Sequence, residues 1–207
     1  MKQEERRRNT RRLLLDTTIA LIAEKGCHLL TMQDIANAAG LSKGAIFHYV
    51  RSKDEMFVWV LQEQLEQTNN RFLDEVASGR RTFAEPMKAI ADSISSYGES
   101  GNVTNKVLLY LLGKEDQPFI AEAVRDYYKK SVQLSQSWIE TGQQYGVIPP
   151  SVDAAKTADM FVLLTFGMRM RASIPFDGPA FTGTDFTTFI TSILQPGQVK
   201  NEKEASQ

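Results

Sequence analysis

The sequence predicts an all-α protein, with an N-terminal three-helix domain containing a helix-turn-helix and a larger C-terminal helical bundle. Three observations carry this. Apolar residues recur at helical spacing. Ser or Thr stands three residues ahead of an acidic residue at two helix starts, Thr31 with Asp34 and Ser52 with Glu55. Gly and Pro punctuate the 207 residues at intervals of helix length, and few stretches invite a strand.

Taken in order, residues 2–12 hold six Lys or Arg and two Glu before any apolar period begins, which predicts a mobile basic arm. Leu14, Thr18, Leu21 and Ile22 then give a first helix that Gly26 closes. The Thr31–Asp34 spacing starts a second helix, whose face carries Ile35, Ala36 and Ala39. Gly40 supplies the left-handed backbone for a tight reversal. Ser42 caps a third helix, in which Ile46 turns inward while Lys43, Gly44, Ala45, Phe47, His48 and Tyr49 face outward. Ser52 and Glu55 open a fourth, with Met56, Phe57, Val60, Leu61 and Leu65 on its apolar face, connecting the N-terminal domain to the rest. Breaks at Pro86, Gly98–Gly101, Pro118, Gly146–Pro150, Pro175–Pro179 and Pro196–Gly197 leave helices near 83–97, 102–113, 117–145, 152–173 and 183–194. The expected domains are 1–55, 56–197 and a polar, disordered tail over 198–207.

Net charge is −1, but it is unevenly spread: residues 1–55 hold ten Lys and Arg against seven Asp and Glu, or +3, and the remainder fourteen against eighteen, or −4. The positive end is the helix-turn-helix end, where phosphate neutralisation would be needed. A single cysteine, Cys27, excludes an internal disulfide. The longest apolar runs, 107–112 and 160–164, fall far short of the ~20 residues a bilayer requires. With no signal-peptide pattern either, the expectation is a cytoplasmic protein without a membrane partner.

Two short helices around a Gly turn lay the second in the major groove of double-stranded DNA. The same residues resemble the TetR family of bacterial transcriptional repressors. The resemblance runs through Glu24-Lys25-Gly26, then Thr31, Ile35, Ala36, Ala39 and Gly40, then Ser42-Lys43-Gly44, Phe47-His48-Tyr49 and Ser52-Lys53-Asp54-Glu55, over roughly the first 57 residues. Three positions depart from the family pattern. Ala45 replaces Thr or Ser, Phe47 replaces Tyr and Val50 replaces Phe, so two hydroxyl donors to phosphate are missing.

Within this frame Lys43 and Lys53 are expected at phosphates, with Arg51 and the amides at the Ser42 and Ser52 helix starts. Base reading falls to the Ala45 methyl, to His48, and to Thr31 or Gln33 from the preceding helix, while Gly44 lies in the same outward row. Phe47 and Tyr49 either meet sugar-phosphate or pack between helices. Arg6, Arg7, Arg8, Arg11 and Arg12 form either a solvated tail or an arm reaching a flanking minor groove.

In the C-terminal part, Met160, Phe161, Leu163, Leu164, Phe166 and Met168 make the helix near 152–173 apolar on more than one face, and Phe186, Phe189, Ile190 and Ile193 do so for the last helix. The resemblance implies that these two helices pair with their copies in a homodimer on a palindromic operator. Tyr110, Tyr127, Trp138 and Met168, with Tyr128 and Met170, are either plain core or the lining of a pocket for an unidentified, small hydrophobic effector. Arg169 and Arg171 are either solvated or a cation for an anionic ligand.

Two histidines beside one cysteine lack metal-ligand spacing, and neither a phosphate-binding Gly loop nor a nucleophile elbow occurs. No catalytic residue, metal or cofactor is therefore expected. The reading is a ligand-responsive regulator, a repressor in sign. The alternatives are a sequence-indifferent DNA-binding protein and a helical small-molecule carrier or enzyme.

Overall fold

The computed structural model describes residues 2–77, 87–88, 96–99, 101–174, 178 and 181–195. Among them are eight principal helices and no strand: α1 (Lys2–Leu29), α2 (Met32–Ala38), α3 (Lys43–Phe47), α4 (Lys53–Ala77), α5 (Val103–Leu112), α6 (Pro118–Gln144), α7 (Ala154–Arg171) and α8 (Gly183–Leu194). The helix expected near 83–97 falls mostly outside the described residues, as does the tail over 198–207.

The chain forms two compact units. The first combines residues 1–64 with 101–127, the second 65–100 with 128–207. In the first, α1 packs against α2 and α5, and α2 against α3. Leu14, Ile22, Leu30, Ile35, Ile46, Met56, Phe57, Leu61, Leu108 and Leu111 are fully buried there. Thr18 joins them because its hydroxyl donates to the Leu14 carbonyl one turn back, at 2.7 Å, leaving no unsatisfied polar group.

The expected basic arm is instead helix: α1 begins at Lys2. Arg, Glu and Gln are good helix formers, and Glu4 and Glu5 lie in the first turn, where the helix dipole favours acid. Contacts to α4 hold the next turns. Arg11 lies 4.8 Å over the Trp59 ring and Arg12 meets Glu63 at 2.7 Å. Gly26 breaks α1 near its end, with φ 74° and ψ 169°.

In the second unit Ile139, Ile148, Ala158, Phe161, Met168, Phe186, Ile190 and Leu194 form one apolar core with Met87 and Tyr97. The Phe186–Ile190–Leu194 row is the i, i+4 stripe of an amphipathic helix. Gly142 lets the chain fold back closely after α6, since a Cβ there would lie 2.5 Å from the Ile148 Cδ1 atom. Arg169 is also inside this core, 3% exposed, with its guanidinium 3.8 Å from the Tyr97 ring centre. Of the two readings of Arg169, solvation is excluded; a cation–π contact offsets part of the cost of burying its charge.

Candidate functional site

The helix-turn-helix is built from short-range bonds. At α2 the Asp34 amide donates to Thr31 Oγ1 (3.1 Å), while the Thr31 amide and hydroxyl both donate to Asp34 Oδ2 (2.9 and 2.6 Å). Lys25 adds an ion pair to Asp34 Oδ1 at 2.9 Å. The Thr31 hydroxyl first, then Lys25 and the Thr31 amide, hold the Asp34 carboxyl down at about 2. Gly40, at φ 65°, makes the reversal and lets the Leu41 amide reach the Ala36 carbonyl at 3.0 Å.

Ser42 then caps α3, accepting the Ala45 amide at 3.1 Å. Ile46 is fully buried and Val50 nearly so, which fixes which way this short helix faces. Ser42, Lys43, Gly44, Phe47 and His48 are exposed, and Ala45 and Tyr49 half-buried. A Cβ on Gly44 would meet nothing closer than the Ser42 hydroxyl at 4.0 Å, so the chain's own packing does not require glycine there. On α2, Thr31 and Gln33 are exposed, and the Gln33 amide donates to Asn37 at 2.8 Å. These nine residues, from Thr31 to Tyr49, come together on one helix pair.

Lys53 does not join them. Its ammonium donates to the carbonyls of Cys27, His28 and Leu30 at 3.1, 3.2 and 2.9 Å. All three protons are spent closing the end of α1, leaving none for a phosphate. The physical reason is the kink at Gly26, which turns these carbonyls away from a continuing helix. The Ser52–Glu55 cap also differs in detail. Ser52 Oγ accepts the Glu55 amide at 3.1 Å, but the Glu55 carboxylate takes the Arg51 amide at 2.7 Å, one residue earlier than in a reciprocal box.

The four residues read as pocket lining are divided between the two units. Tyr110 and Tyr127 belong to the first unit, Trp138 and Met168 to the second. Tyr110 donates to Asp54 Oδ1 at 3.0 Å and Tyr127 to Gln64 Oε1 at 3.1 Å. Trp138 donates to Asn69 Oδ1 at 3.0 Å and stacks on Phe72, while Met168 lies in the second core. The sequence reading missed the cluster around Tyr110. Lys114, four residues on, pairs with Asp54 Oδ2 at 2.9 Å and lies 4.5 Å over the Tyr110 ring. Burial raises the Tyr110 phenol; burial works to lower Lys114, but its bonds to Tyr110 and Asp54 outweigh that and raise it. The helical Tyr110–Lys114 spacing was visible, but nothing local points to Asp54.

Burial lifts the Cys27 thiol to about 11 against the pull of Lys53 and Lys106, so it is a protonated thiol at neutral pH and a poor redox nucleophile. Among the described residues no helix is long and apolar enough to cross a membrane.

A family model described as bacterial regulatory proteins, tetR family, matches residues 14–60. The chain is 38% identical over 146 residues to the HTH-type transcriptional repressor KstR2 of Mycobacterium tuberculosis, covering 68% of this chain and 70% of that protein. It is 24% identical over 132 residues to KstR2 of Rhodococcus jostii, covering 62% of this chain and 65%, slightly under two thirds, of the relative. Among solved structures, a TetR transcription regulator from Haloarcula marismortui superposes with a TM-score of 0.64 at 19% identity, over 91% of this chain and 97% of the other. The fatty acid degradation regulator FadR of Bacillus halodurans gives 0.60 at 18%, over 88% and 95%. At these identities the structures share the fold.

Proposed function

The chain belongs to the TetR family of bacterial transcriptional regulators, and on that premise we propose that it is a cytoplasmic repressor that sets α3 into the major groove of a palindromic operator as a homodimer. One observation carries this: Ser42, Lys43, Gly44, Phe47 and His48 stand exposed in one row while buried Ile46 and Val50 hold the row in a fixed direction. Lys43 neutralises a phosphate, Gly44 admits close approach of the DNA backbone, and His48 and the Ala45 methyl meet base edges, with Thr31 and Gln33 reaching in from α2. Phe47 and Tyr49 flank the groove at sugar-phosphate.

Two copies are needed because one short helix reads too few base pairs for a specific site, and palindromic half-sites follow from two-fold symmetry. The pairing is supported by apolar side chains left outside the second unit's own core: Leu163 is 63% exposed, Met170 55% and Phe189 39%. A helix face that presents such groups needs a cover.

Release follows from a population shift: a small hydrophobic effector that binds the DNA-incompetent arrangement better than the competent one lowers operator affinity by that difference. Its site is assigned to the second unit, whose apolar core of Met, Phe and Ile includes Met168 and which also holds half-buried Trp138, stacked on Phe72. Helices α4 and α6 each run unbroken through residues of both units, which gives the shift a covalent route.

Fluorescence anisotropy against the upstream region of the protein's own gene and against a scrambled duplex tests the reading. Preference for the upstream duplex, steeply weakened by salt, is expected. Equal affinity for both duplexes would indicate a sequence-indifferent binder, and no DNA affinity at all a carrier or enzyme.

A further inference from the structure

We infer that Asp54, Tyr110 and Lys114 are positioning residues for the helix pair α2–α3, an assignment that rests on the DNA-binding reading above. The pair is suspended between two points. Its entry is the end of α1, two residues before Thr31, and its exit is the start of α4 at Lys53. Any rotation of one point relative to the other re-aims the row from Ser42 to Tyr49.

Both points are held by one aromatic ring from α5. Tyr110 is 7% exposed. His28, from the end of α1, meets it edge-to-face with ring centres 5.0 Å apart at 71°, and Phe57, four residues after Lys53 in α4, at 5.2 Å and 80°. Its hydroxyl donates to Asp54 Oδ1 at 3.0 Å, and the Lys53 ammonium, already bonded to the α1 carbonyls, lies 5.4 Å from the ring centre. Lys114 closes the arrangement by donating to Asp54 Oδ2 at 2.9 Å while covering the ring at 4.5 Å.

An exposed ion pair would fix little. This one is different, because the Lys114 and Asp54 side chains are only 27% and 16% exposed and share a carboxylate with a buried phenol. Groups in such a network hold one geometry and fail together. None of the three lies in the outward row of α3, so their effect on DNA is through the pose of that row. The segment 103–114 is thereby part of the reading head, although it follows α4 by some 25 residues of chain.

The test uses the full-length Tyr110→Phe and Lys114→Gln variants, singly and together. Titrations run against the operator and the scrambled duplex across a salt series, well below the melting temperature, with helicity checked by circular dichroism. Each single variant should lose about tenfold in operator affinity. Affinity for the scrambled duplex and the slope of log affinity against log salt should stay at wild-type values, since no phosphate contact is removed. The double variant should be no weaker than the weaker single.

Operator affinity within twofold of wild type in both folded single variants overturns the inference, even if melting temperature falls, because that is the signature of a purely structural role. A shallower slope for Lys114→Gln also overturns it, by making Lys114 a phosphate contact. Wild-type protein that fails to prefer the operator removes the underlying reading instead, a result distinguishable from either.

Discussion

The first residues of α2 and of α8 are built alike and lead to surfaces of different chemical character. Each helix opens with Thr capping Asp three residues on: at Thr31 the hydroxyl donates to Asp34 at 2.6 Å, and at Thr182 to Asp185 at 2.6 Å. Both aspartates are held below the usual carboxylate range, each chiefly by that hydroxyl. Beyond the cap they diverge. Helix α2 buries only Ile35 and Ala36 and leads to a row of exposed polar and aromatic side chains. Helix α8 buries Phe186, Ile190 and Leu194 and still leaves Phe189 39% exposed. Local capping decides that a helix begins; the residues on its outer face decide whether it meets nucleic acid or another apolar surface.

Changing those outer faces breaks the contrast most sharply. Lys43→Glu with His48→Glu puts two carboxylates against phosphate and base edges, and should cost more than about 100-fold in operator affinity by anisotropy. Its melting temperature and dimerisation should match wild type, since both side chains are exposed. Leu163→Glu with Met170→Glu should do the converse. Sedimentation should show monomers at micromolar concentration, and operator affinity should fall about tenfold or more because the second half-site is no longer held in cis.

The caps themselves sharpen the comparison. Thr31→Ala and Thr182→Ala should each destabilise by about 1 kcal/mol in denaturant unfolding, the usual value of such a cap. Only Thr31→Ala should also weaken operator binding, because α2 carries the entry to α3.

The smallest effect expected is one of pH. With Asp34 ionising at about 2 in the folded chain against 3.8 ordinarily, the folded state favours the carboxylate. Its contribution to stability is therefore complete above about pH 4 and vanishes as pH falls through 2. Unfolding curves of wild type and Asp34→Asn should be separated at pH 6 and converge at pH 2. A separation that grows on acidification would contradict the cap.

Much of this was legible from sequence where the signal is local. Thr31, Gly40 and Ser42 each act on neighbours within five residues, and α8 begins and ends at 183 and 194 as read from its apolar rhythm and flanking breaks. What depended on distant partners was not legible. The arginines of residues 2–12 suit both a solvated arm and a helix, and contacts to Trp59 and Glu63 accompany the helix. Lys53 in a basic motif looks like a phosphate ligand until the kink at Gly26 presents three carbonyls to it. Arg169 reads as either solvated or a cation for an anionic ligand until Tyr97 is brought 3.8 Å from it. The grouping of 101–127 with the N-terminal helices rests on pairs such as Asp54 with Tyr110, 56 residues apart, which no local motif announces.

The central claim, two copies of α3 in successive major grooves, is tested most directly by hydroxyl-radical and guanine-methylation footprinting on the upstream duplex. The account predicts two symmetry-related protected patches with centres about 34 Å, one helical turn, or a multiple of it apart, and binding blocked by methylation at guanine N7 inside them. A single unsymmetrical patch, or protection indifferent to N7 methylation, would contradict it.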